Sequence, residues 1–151
     1  MPSRDFRVML SALSEAGAEY LLVGAYALSA HGLVRGTGDI DLWVRPTAEN
    51  AARVHAALLA FGAPAERFAE SDFIVPGTVL QLGVPPLRID VLTTISGVEF
   101  EEAWPARLEV EMDGLRVPVL GRDHLIANKR ASARPKDLLD LRWLEQETER
   151  P

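Results

Sequence analysis

The chain has 151 residues, 48% hydrophobic and 25% charged, with a net charge of −6 and no cysteine. That length and balance predict a single domain spanning 1–151 with a core of its own. Lack of cysteine excludes a disulfide framework, thiol catalysis and Cys-ligated zinc, and the acidic balance argues against a protein that holds nucleic acid chiefly by neutralising phosphates.

The chain opens on Met1-Pro2-Ser3-Arg4-Asp5, with no leader-like pattern and no long apolar span, so a cytoplasmic setting and no membrane association are expected. Phe6, Val8, Met9, Leu10 and Leu13 predict an amphipathic helix ending near Gly17. Tyr20-Leu21-Leu22-Val23 then reads as a short apolar strand, Gly24 as a tight turn, and Ala25 to His31 as a helix. Backbone N–H groups and the dipole at the start of that helix favour an anion. His31 is expected to be structural, capping the helix or packing beneath the loop at 35–37.

In Gly38-Asp39-Ile40-Asp41-Leu42-Trp43-Val44 the strand period of two aims Asp39 and Asp41 to one face and Ile40, Leu42 and Val44 to the other. Arg88-Ile89-Asp90-Val91-Leu92 repeats the design, with one carboxylate between branched apolar residues. Asp is depleted in strands, so three in strand contexts call for a cause. If the two strands are neighbours in register, the carboxylates converge, and divalent cations such as Mg²⁺ would relieve their repulsion. Two such ions about 3.5–4 Å apart can activate an attacking oxygen and stabilise a leaving one.

Between these strands, Thr47 is a candidate cap for a helix through Phe61, with Val54, Leu58 and Phe61 inward and Gly62 as its stop. From Phe68 to Leu92 short strands are predicted, punctuated by Gly77, Gly83 and Pro85-Pro86; Val98 to Trp104 reads as a short helix. Leu108–Met112 and Leu115–Leu120, joined by Asp113-Gly114, read as a hairpin. Two helices, Arg122–Ala131 and Pro135–Glu147, close the chain. His55 and His124 are expected at the surface, and the three Trp residues are expected to pack. The predicted class is α/β, a small mixed sheet flanked by helices with a C-terminal helical hairpin.

Val23-Gly24-Ala25, Arg35-Gly36-Thr37-Gly38-Asp39-Ile40-Asp41-Leu42 and Ile89-Asp90-Val91 together resemble the nucleotidyltransferase (DNA polymerase beta-like) superfamily, in particular its small bacterial members of AbiEii and toxin-antitoxin type. The resemblance implies a nucleotidyltransferase fold and a two-metal transfer of a nucleoside monophosphate from a nucleoside triphosphate to an acceptor hydroxyl. Asp39, Asp41 and Asp90 would be the catalytic residues and the ligands of two Mg²⁺ ions, with Mn²⁺ as a substitute. Gly24 and Ala25 would contact the triphosphate; Ala25 stands where Ser or Gly is usual, which leaves the grip to backbone N–H groups. Arg35 and Thr37, near the carboxylates, are further nucleotide-binding candidates, with orientation of Asp39 or support of the loop as the other readings. The acceptor would be a tRNA end or a protein side chain, with a cognate partner protein as in toxin-antitoxin pairs. The other reading of these residues is a catalytically weak module of the same fold that acts through a partner protein.

Lys129-Arg130-Ala131-Ser132-Ala133-Arg134-Pro135-Lys136-Asp137-Leu138-Leu139-Asp140 resembles the lysine and Arg-Asp-x-x-Asp segment of AbiEii-type enzymes, with Lys136 where Arg is usual. Of 16 basic residues only Lys129 and Lys136 are lysines. Lysine is a compact point charge suited to phosphate, so both are nucleotide-binding candidates. Asp137 and Asp140 have two readings, complements to a helix dipole or members of the site.

Overall fold

The structure, a computed structural model, describes residues 3–33, 38–84 and 87–149, the last with side chains to 146. Arg35 and Thr37 lie outside the described residues, as does Pro85-Pro86.

The opening helix α1 (Arg4–Glu15) is capped by Ser3, whose hydroxyl accepts from the Phe6 N–H, and buries Phe6, Met9, Leu10 and Leu13. Those four follow the i, i+3, i+4, i+7 stripe of a one-sided helix. Val8 falls off the stripe and is 42% exposed, contrary to its predicted place in the apolar face. Strand β1 (Tyr20–Val23) is buried at every position and runs straight into α2 (Gly24–Ala30). After β2 (Asp39–Val44) comes α3 (Ala48–Phe61), capped by Thr47 and stopped by a left-handed Gly62, as predicted. Asn50, 1% exposed, accepts from the Glu19 N–H and donates to the carbonyls of Glu19 and Arg45, tying α3 to the start of β1 and the end of β2. A buried carboxamide is tolerated because its hydrogen-bonding groups are used.

The stretch expected to be strands from Phe68 begins instead with 3₁₀ turns at Ala65–Arg67 and Glu70–Ile74. The Asp72 carboxylate accepts from the Ala69 N–H, and this local bond competes with any ladder partner there while Phe73 turns into the core. Strands begin only at β3 (Val79–Val84), followed by β4 (Leu87–Leu92). The helix predicted for Val98–Trp104 is one turn, α4 (Phe100–Ala103), continued as a 3₁₀ turn at Trp104–Ala106. Pro105 has no N–H to extend the α pattern. The hairpin of β5 (Leu108–Met112) and β6 (Leu115–Val119) closes through Asp113 at φ 50° and Gly114 at φ 82°, the two left-handed positions of a tight hairpin turn. Helices α5 (Arg122–Ser132) and α6 (Pro135–Glu149) form the predicted C-terminal pair.

The strands make one mixed sheet in the order β3-β4-β2-β1-β6-β5. β1 pairs antiparallel with β2 and parallel with β6, and β2 pairs parallel with β4. Trp43 is buried, its ring 5.0 Å from that of Phe100, which stacks on Trp104. Arg45 lies over Phe100 and pairs with Glu19 and Glu101. His31 terminates α2 and hydrogen-bonds the Leu120 carbonyl through Nε2 at 2.9 Å, a structural role. His55 and His124 are half-buried rather than exposed, His55 with its ring 5.4 Å from Phe68. Among the described residues no helix is long and apolar enough to cross a membrane.

Candidate active site

The parallel pairing of β2 with β4 sets Asp41 opposite Asp90 and Asp39 opposite Arg88. Alternate strand residues share a face, so these four polar side chains stand together. Ile40, Leu42, Val44, Ile89 and Val91 on the other face are at most 3% exposed. Each contributes about 1.5–3 kcal/mol by burial, which fixes the orientation of the polar set.

Among the described residues, Arg88 supplies counter-charge at this edge. Its Nε donates to Asp90 Oδ1 at 2.9 Å, and Nη2 reaches Asp90 Oδ2 and Asp39 Oδ2, both at 3.2 Å. The fork thus joins two of the three carboxylates. Burial, with Asp90 and Asp39 close by, pushes the Asp41 carboxyl up to about 6, and Asp41 shares a hydrogen bond with Asp90. Gly24 explains how the chain comes so close. Its φ is +71°, and a Cβ there would lie 2.3 Å from Asp41 Oδ2, so any other residue meets both strain and a clash.

The α5–α6 hairpin supplies the facing wall. Lys129 is 5% exposed, with Nζ 3.3 Å from both Asp137 Oδ1 and Asp140 Oδ2. Asp137, fully buried, also accepts from Ser132 Oγ at 2.9 Å, from the Arg134 N–H at 3.1 Å and from Arg134 Nε at 2.7 Å. Burial alone would push this carboxyl up, but the hydrogen bonds from Arg134 and Ser132 and the Lys129 charge outweigh it and hold the carboxyl well below the usual range. Asp137 and Asp140 therefore lock the hairpin, a stronger role than complementing a dipole. Ala133 takes φ 50° at the end of α5, turning the chain into α6.

Gly24, Ala25, Asp39, Asp41, Asp90, Lys129 and Lys136 all line one cleft of about 350 Å³, together with Leu28, Arg88, Arg134 and Asp140. Every described residue predicted for the site is thus brought to one place. Lys129 arrives with its charge already balanced by two carboxylates, whereas Lys136 is exposed in the first turn of α6. From the sequence Arg88 has no assigned role, and Arg134 has one only as a member of the basic patch suited to a nucleoside triphosphate or an RNA end. Arg88 had a signal, since a position two before Asp90 in a strand must share its face. Arg134 had only its place in a run with five basic residues against one acidic between Arg122 and Lys136.

As the side chains stand, no group of three or more Asp, Glu, His or Cys among the described residues is arranged to hold a metal ion, and Arg88 donates to Asp90 and Asp39 at this edge. The donor set nevertheless suits a hard divalent cation. It is all oxygen, and the Asp41 carboxyl is raised first by burial and then by the neighbouring Asp90 and Asp39 charges, which a cation would relieve.

No protein-family model matches the chain, and no curated protein matches it. Among solved structures, the chain is similar to a crystallised protein of Thermotoga maritima that is provisionally designated a nucleotidyltransferase. The TM-score is 0.60 at 17% identity, over 95% of this chain and 92% of that one. The likeness establishes the fold: a mixed six-stranded sheet flanked by helices, of nucleotidyltransferase type.

Proposed function

We propose that the protein is a nucleotidyltransferase that uses a nucleoside triphosphate as donor. The observation that carries this reading is the register of β2 and β4, which stacks Asp39, Asp41 and Asp90 at one edge of the cleft that Gly24 opens and Lys136 and Arg134 face. The fold shared with the Thermotoga maritima protein supports it.

In the reaction, an acceptor hydroxyl oxygen attacks the α-phosphorus in line and forms a new P–O bond. The bond from that phosphorus to the bridging oxygen breaks, pyrophosphate leaves, and the hydroxyl proton passes to the Asp90 carboxylate. Asp39, Asp41 and Asp90 would hold two Mg²⁺ ions, or Mn²⁺, which when bound supply Lewis-acid stabilisation of the phosphates and a more acidic attacking hydroxyl. Arg88, which pairs with Asp39 and Asp90 and lines the same cleft, would add its charge to the neutralisation of phosphate oxygens. Gly24 and Ala25 present backbone to the triphosphate; Lys136 and Arg134, both exposed at the rim, neutralise it. Lys129 holds Asp137 and Asp140 and so positions Arg134, besides lining the cleft itself.

The acceptor in this reading is a tRNA end or a side chain of a cognate partner protein, as in the toxin-antitoxin systems whose catalytic components the motifs resemble. Incubation of the protein with α-³²P-labelled nucleoside triphosphates, Mg²⁺ and total RNA or protein extract should move label onto one acceptor and release pyrophosphate. Asp39→Asn should abolish the transfer while its circular dichroism stays unchanged. Retained transfer in that variant would remove the metal role; absence of label from every acceptor with the wild type would leave the partner-module reading.

A further inference from the structure

A second cleft, of about 560 Å³, adjoins the carboxylates. The two share Gly24, Asp41, Lys129 and Arg134 as a common wall. Among the described residues, every charged residue that lines the second cleft belongs to that wall, and beyond it the lining is neutral. Leu92, Ile95 and Ala131 give it apolar surface, and Thr94, Ser96 and Asn128 give it hydroxyls and a carboxamide. The charged cleft and the neutral cleft thus divide as a nucleotide divides, into an anionic half and an uncharged half with flat apolar faces and a hydrogen-bonding edge.

We propose that the neutral cleft between the 94–96 loop and α5 is the pocket for the base and ribose of the donor, with Asn128 and Ser96 as the residues that read them. This rests on the nucleotidyltransferase reading and deepens it. The loop is the direct continuation of β4, so a nucleoside there leaves its α-phosphate beside Asp41 and Asp90. The pocket is held in shape by contacts within the chain. Asn128 Nδ2 donates to the Ser96 carbonyl at 2.9 Å. Gly97, at φ +76°, lets the loop lie so close to α5 that a Cβ would stand 2.5 Å from the Ala131 Cβ and 3.1 Å from the Ala127 carbonyl oxygen. Thr94 Oγ1 is held by the Gly77 N–H at 3.1 Å. Among the described residues neither the Asn128 side-chain carbonyl nor the Ser96 hydroxyl has a hydrogen-bond partner, so both are available to a ligand edge. A phosphate-bearing acceptor such as an RNA end is ill suited to this cleft, because among the described residues the lining beyond the shared wall offers it no cation. The size falls within the range of ordinary small-molecule pockets, roughly 300–1,000 Å³.

The test is calorimetric titration of the full chain, with Mg²⁺, using the four ribonucleoside triphosphates and inorganic tripolyphosphate. One triphosphate should bind the wild type more tightly than tripolyphosphate. Asn128→Ala should weaken that nucleotide roughly tenfold, about the contribution of one buried hydrogen bond, and leave tripolyphosphate unchanged. Ser96→Ala keeps the backbone hydrogen bond to Asn128 and tests the same pocket if Asn128→Ala melts early. Equal weakening of nucleotide and tripolyphosphate in both variants, or no weakening in either, overturns the pocket while leaving the transferase reading intact. Nucleosides binding no tighter as triphosphates than tripolyphosphate alone also overturns it, and assigns the cleft to the neutral part of an acceptor. Failure of both nucleotide and tripolyphosphate to bind the wild type overturns the transferase reading and the pocket together.

Discussion

Replacement of Asp41 by Asn should stabilise the metal-free protein, and only above mildly acidic pH. Burial and the neighbouring Asp90 and Asp39 carboxylates raise the Asp41 carboxyl from an ordinary 3.8 to about 6. A raised carboxyl favours its protonated form in the folded state, so the native protein binds more protons than the unfolded chain between those values. Its contribution to stability is therefore present in full below about 3.8 and is lost as pH rises through about 6. The difference of about 2 pH units corresponds to at most about 3 kcal/mol at neutral pH. Asn removes the charge, keeps the shape and can donate to Asp90. The expected gain is about 2–3 kcal/mol at pH 8, a rise in Tm of roughly 4–12 °C for a domain of this size, and close to nothing at pH 4. Thermal unfolding followed by circular dichroism in EDTA at pH 4, 6 and 8 measures it. A variant that melts at or below the wild type at pH 8, or gains equally at all three values, would refute the argument that a buried carboxylate crowded by two others destabilises the metal-free protein.

Lys129→Met should leave Asp137 and Asp140 without their shared cation and cost about 3 kcal/mol or more, read as a fall in the denaturant midpoint. Because the Asp137 carboxyl is held below its ordinary range, its contribution is present above pH 4 and is lost as pH falls further; acid titration watched by Trp143 fluorescence should report the α5–α6 hairpin loosening there, and Asp137→Asn should remove that transition. Gly24→Ala puts a methyl 2.3 Å from Asp41 Oδ2 at a left-handed backbone position, so transfer should fall at least a hundredfold with a smaller change in Tm. Arg88→Met removes the guanidinium that occupies Asp39 and Asp90 and should raise Mn²⁺ affinity several-fold by calorimetry; weaker binding would mean that Arg88 supports the ion site rather than competing for it.

The carboxylates were legible because a strand's period of two leaves no freedom: Asp39 and Asp41 had to share a face once Ile40, Leu42 and Val44 were buried. The Thr47 and Gly62 stops of α3 and the Asp113-Gly114 turn were legible for the same local reason, since each depends on a few adjacent residues. The stretch from Phe68 to Val75 was not, because Phe73 packs from a 3₁₀ turn and Phe68 from the extended link before it, against α3 and one another, where their spacing mimics neither a strand nor a helix. Nor was the pairing of Lys129 with Asp137 and Asp140, which depends on how α6 folds back on α5. The strand order, with β4 beside β2 and β1 beside β6, joins distant segments and has no local signal.

The alternation along β4 has a consequence for how mutations and misfolding would act on the site. A slip of one residue against β2 would carry Asp90 into the apolar layer and bring Ile89 and Val91 out to the cleft. The chemistry and the core are therefore two sides of one choice of register. The cost of exposing Ile89 and Val91 while burying a carboxylate guards the placement of Asp90, so that no partly slipped state is both stable and mis-set. Substitutions that weaken the apolar side of β4, Val91→Thr or Ile89→Ser, should then degrade the placement of a carboxylate they never touch.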